Sequence, residues 1–67
     1  MNKRAIHKAC WAYHWAVQKL NTCECYDESV LVALVALANN ARYALLAAYV
    51  SCEVPDEYRT EVRSIIR

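Results

Sequence analysis

Residues 27–52 read DESVLVALVALANNARYALLAAYVSC, and this stretch decides the fold. Between Val30 and Val50 only Asn39, Asn40, Arg42 and the hydroxyls of Tyr43 and Tyr49 are polar. The apolar residues leave no polar stripe, so a helix here is buried on every side or lies in a membrane. Asp27 is a plausible N-cap and Glu28 suits the positive end of the helix dipole. Pro55 bars helix from the residue before it. A long central helix over about residues 28–52 is therefore expected. An Asn pair costs little inside a helix by propensity alone. A break at Asn39-Asn40, giving four helices, is the alternative, because Asn tolerates the left-handed conformation.

The flanking segments are amphipathic. Over residues 3–20 the residues Ile6, Ala9, Cys10, Tyr13, Ala16, Val17 and Leu20 fall on one arc at 100° per residue, and Asn2 is placed to cap it. Pro55, Asp56 and Glu57 suit the start of a third helix over residues 55–66, with Tyr58, Val62, Ile65 and Ile66 as its apolar stripe. Arg59, Arg63 and Arg67 form its solvated row. The 67 residues contain no glycine and one proline, which disfavours tight hairpins. The expectation is one all-α domain over residues 1–67, a small three-helix bundle. Its 58% hydrophobic content excludes disorder.

A chain of this size buries only about 60% of its unfolded surface, so stability is marginal without help. Two short helices cannot cover a central helix that is apolar all round. The uncovered part is an apolar patch of the kind that marks contacts, and a two-fold dimer is the economical cover. Asn39, Asn40 and Arg42 would set its register, and Ala44 and Ala48, on a stripe with Ala41 and Ser51, would permit close approach. By length the segment also nears the threshold for crossing a bilayer, but Arg42 and the two asparagines at its middle oppose insertion.

The net charge of +1 hides an asymmetry, because residues 1–20 carry Lys3, Arg4, Lys8 and Lys19 and no acid. Arg4, Lys8, Trp11, Trp15 and Lys19 share the outward arc of the first helix. Trp and Arg are enriched at protein–protein hot spots, so this face is the expected docking site for a partner with an acidic surface. Cations interleaved with aromatics also suit phosphates and stacked bases, which makes a nucleic-acid-binding dimer the alternative.

His7, Cys10 and His14 stand at i, i+3 and i+7 with zinc-compatible donors, a third reading. Cys23 and Cys25 lie too far along the chain to complete that set if the first helix reaches Leu20. A Cys10–His14 nucleophile pair lacks the third polar group and the oxyanion loop that catalysis needs. Core and boundary roles are therefore expected for these three, with no metal and no cofactor. His7 and Lys8 interrupt the apolar run that a secretory signal requires, so Cys10, Cys23, Cys25 and Cys52 read as reduced thiols in the cytoplasm. The whole suits a non-enzymatic regulator, inhibitor or adaptor, of the kind phages and plasmids encode as small modulators.

Overall fold

The structure is a computed structural model that describes residues 2–22 and 27–67. It contains α1 (Lys3–Asn21), α2 (Glu28–Val50) and α3 (Asp56–Ile66), and among the described residues no strand. This is the all-α three-helix bundle expected from the sequence. Cys23 and Cys25 lie outside the described residues.

Asn2 starts α1 from an extended conformation, with its side-chain Oδ1 accepting the Ala5 N–H at 2.8 Å. Ile6, Cys10 and Ala16 are buried, and Ala9, Tyr13, Val17 and Leu20 are half-buried, so the amphipathic arc faces inward as expected. Thr22 closes the helix, its Oγ1 donating to the carbonyls of Gln18 (3.1 Å) and Lys19 (3.3 Å).

α2 runs unbroken through Asn39 and Asn40, which are both exposed, so the chain does not turn there. An exposed Asn satisfies its side chain in water and has no reason to end the helix. The Asp27 side chain makes no capping bond; its backbone carbonyl instead accepts from the Val30 and Leu31 N–H groups at 3.0 and 3.1 Å.

The helix ends two residues earlier than expected, and the cause is not Pro55. The Cys52 N–H donates to the Tyr49 carbonyl at 3.1 Å and the Glu53 N–H to the Ala48 carbonyl at 2.9 Å. This pair of bonds is a Schellman closure, with Cys52 at φ 58° in the left-handed position where glycine is usual. A chain lacking glycine still makes this turn, at a steric cost of about 1–2 kcal/mol. Pro55 then sits at the N-cap of α3 rather than at its first helical position.

One stripe of α2 turns inward: Leu34, Ala38, Ala41, Leu45 and Ala48, spaced alternately by four and three residues. Its first part packs on Ala16, Tyr13 and Leu20, and its last part joins Ile6, Cys10, Val54, Val62 and Ile65. The N-terminal half of α1 therefore meets the C-terminal half of α2, and the two helices are antiparallel. α3 returns along the C-terminal half of α2: Arg63 Nε donates to the Tyr49 hydroxyl at 3.3 Å and Arg42 Nη2 to the Ile66 carbonyl at 3.4 Å. Ile6, Leu45 and Val62 are fully buried, each contributing about 1.5–3 kcal/mol by removal from water.

α3 has only 11 residues and ends beside Arg42, so among the described residues the N-terminal half of α2 is covered by α1 alone. The small-residue stripe is used inside the chain. Ala48, expected at a dimer seam, is 2% exposed within the core, and Ala41 is buried as well. Alanine at these positions lets the helices of one chain approach closely; Ala44 is half-buried beside them.

Candidate functional site

The outward face of α1 carries a ladder of side chains one helical turn apart. The Trp11 and Trp15 rings stack with centroids 6.3 Å apart and planes inclined by 18°. Lys19 extends the ladder, its Nζ lying 5.9 Å from the Trp15 ring centroid. The i, i+4 spacing makes this geometry automatic on a helix. Trp11 is 62% and Trp15 38% exposed, so the indoles cover each other and are not part of the core. A shallow groove at the N-terminal end of the ladder is lined by Arg4, His7, Lys8 and Trp11.

The cations divide by position. Lys3 pairs with Glu57 of α3 at 2.6 Å, and that hydrogen bond raises the Lys3 pKa. Arg4 and Lys8 make no ion pair or hydrogen bond among the described residues. With Lys19 they are the cations left beside the indoles, and all five residues of the expected docking face stand on one exposed surface.

His7 and His14 face α3. His7 Nδ1 lies 3.0 Å from the Tyr58 hydroxyl, and His14 Nε2 lies 3.1 Å from Glu61 Oε1. With Lys3–Glu57 they form a polar seam along the α1–α3 boundary, and Cys10 is buried beneath it at 2% exposure. Burial, with the Glu61 carboxylate adding to it, pushes the Cys10 thiol up to about 11. The thiol is thus protonated at neutral pH, whereas nucleophilic and metal-binding cysteines act as thiolates. Among the described residues no group of three His, Cys, Asp or Glu side chains is placed to hold a metal ion.

The partners in this seam were not singled out from the sequence, although a signal was present. Glu57 and Glu61 lie at i, i+4 on α3, an acidic edge that complements the acid-free first helix. Nothing in the sequence marks Val54 of the short connection as buried, because one valine in a loop has no periodicity.

The second exposed surface is the face of α2 opposite its buried stripe. Val32 is 62%, Tyr43 60% and Val50 72% exposed, and Val35 and Leu46 are open to a smaller degree, whereas the exposed Leu37 lies at the edge of the buried stripe. Asn39 lies on this face; Arg42 is half-buried at its edge and turned toward α3. By length and composition α2 could cross a membrane: its mean hydropathy is 1.6 over the most apolar window, of which only 22% is buried. No protein family, curated protein or solved structure matches this chain.

Proposed function

We propose that the protein is a non-enzymatic helical interaction module of the cytoplasm. It binds another macromolecule through the Trp-basic face of α1 and pairs with itself through the open face of α2. A small regulator, inhibitor or adaptor works in this way. The observation that carries the reading is the stacked, exposed Trp11–Trp15 pair, set between the cations of Arg4 and Lys8 at one end and of Lys19 at the other. Two indoles held in water by their own helix forgo the burial that would stabilise a small domain, and a partner that covers them recovers it. The cations around them select a surface bearing carboxylates, and set its orientation and encounter rate more than its affinity.

The test is Trp11→Ala combined with Trp15→Ala. The variant is expected to keep the helical content of the parent and to lose capture of the protein partner from the native host. Capture undiminished by the double substitution would remove this face from the function. Loss of helicity would make the indoles structural instead.

The parallel indoles also fit stacked bases, which keeps a nucleic-acid reading in view. The electrostatics narrow it, because Lys3 is engaged by Glu57 and leaves Arg4, Lys8 and Lys19 at the face. Binding of a single-stranded oligonucleotide through these three phosphate contacts would show a log–log salt slope of about −2. A flat salt response leaves the protein partner as the reading.

A further inference from the structure

Resting on the proposed self-pairing, we infer that two copies of α2 pack antiparallel about a two-fold axis at the level of residue 41. Val32, Ala36, Asn39, Tyr43, Leu46 and Val50 are all exposed and are separated alternately by four and three residues. That is a heptad seam, the pattern by which one helix packs along another. It lies opposite the buried stripe, so pairing through it leaves α1 and α3 in place and the Trp-basic face free.

The area agrees with a second copy. Val32, Val35, Tyr43, Leu46 and Val50 leave on the order of 500 Å² open, more than scattered surface residues do. Two such faces bury roughly 1,000 Å², the threshold for a specific interface between proteins.

The direction follows from the order of side chains. An isologous interface must be its own complement. When the seam is reversed about residue 41 it maps onto itself, and Val32 meets Val50, Ala36 meets Leu46 and Asn39 meets Tyr43 of the other copy. The smaller Ala36 and Asn39 then face the larger Leu46 and Tyr43, and each Asn amide faces a phenol able to hydrogen-bond it. A parallel in-register pair would put Ala36 on Ala36 and Tyr43 on Tyr43, leaving a void at one layer and overfilling another. Antiparallel α2 helices also oppose their macrodipoles, which a parallel pair would align. The remaining apolar face thus specifies a partner with this same sequence, reversed.

The test uses Val32→Glu alone and with Val50→Lys, both at exposed positions, measured by sedimentation equilibrium with circular dichroism as the check of fold. The antiparallel seam predicts that Val32→Glu weakens dimerisation about tenfold or more. It also predicts that the double variant recovers most of that loss at low salt and less at high salt, since each introduced carboxylate then faces an introduced ammonium of the other copy. In a parallel pair each introduced charge meets its own kind. A wild-type dimer whose double variant is no tighter than the single one therefore overturns the antiparallel order while leaving self-pairing intact. A wild-type monomer at all concentrations overturns both. Flotation of the wild type with phospholipid vesicles, abolished by Val32→Glu, would assign the face to lipid and also overturn the inference.

Discussion

The two faces of α2 share a spacing and differ in fate. Leu34, Ala38, Ala41, Leu45 and Ala48 repeat by four and three and are buried; Val32, Ala36, Asn39, Tyr43, Leu46 and Val50 repeat the same way and are exposed. The inner face is alanine-rich and places one Leu at each cluster, allowing α1 to approach closely. The outer face carries larger side chains with one amide and one phenol among them. A helix that is apolar all round thus resolves into two seams, one satisfied within the chain and one left open. The lesson concerns hydropathy itself. A high mean value reports how much apolar surface must be covered and is silent about which molecule covers it.

Neighbouring leucines give the sharpest way to break the comparison. Leu45 is fully buried and Leu46 is partly open. Leu45→Ala is expected to cost about 2–5 kcal/mol by denaturant titration, most of the stability of a 67-residue domain. Leu46→Ala is expected to cost the monomer about 1 kcal/mol or less. Equal losses would mean that the two faces are not distinct. Ala48→Leu asks the converse question. The inner seam has no room for it, so a loss of about 1–3 kcal/mol is expected, whereas Ala36→Leu at an exposed position is expected to leave the stability of the monomer nearly unchanged and to weaken only the paired state.

Cys10 probes the same inner cluster by pH. Its thiol is raised from 9.0 to about 11 in the folded state, so between those values the native chain holds a proton that the unfolded chain has released. The contribution of the protonated Cys10 is therefore fully present below pH 9.0 and is lost as pH rises toward about 11. Cys10→Ala should lessen that alkaline decline, seen as the difference between the two pH–stability curves.

At the end of α2, Cys52→Gly relieves the left-handed strain but adds freedom to the unfolded chain. A net gain of about 0.5–1 kcal/mol in thermal or denaturant unfolding is expected. The smallest effect belongs to the outer face alone. Val32→Ser should change monomer stability by no more than about 0.5 kcal/mol while reducing dimer affinity.

Much of this architecture was legible in the residues. The arc of α1 and the stripe of α3 are strongly periodic, and periodic segments reveal their buried side directly. Asn2 was readable as a cap because its chemistry is local. The continuity of α2 was also readable, since nothing around Asn39-Asn40 supplies a turn.

The inward face of α2 could not be read, because it has no periodic contrast; it is set by where α1 and α3 lie. For that reason Ala48 was expected on the surface and is instead in the core. The ending of α2 was hidden because a Schellman closure normally announces itself with glycine, and here Cys52 takes that position. The roles of His7 and His14 depended on Tyr58 and Glu61, more than forty residues away in sequence. The Trp-basic face was legible as residues, while the difference between a committed Lys3 and the neighbouring Arg4 and Lys8 needed the structure.

The claim that the outer face of α2 is covered by a second copy is tested most directly by the solution mass of the wild-type chain across a concentration series. Sedimentation equilibrium is expected to show a transition toward twice the 7.7 kDa of the chain, shifted to higher concentration by Val32→Glu with helicity unchanged. A mass of 7.7 kDa at every concentration up to about 1 mM, where even weak specific dimers form, would contradict it.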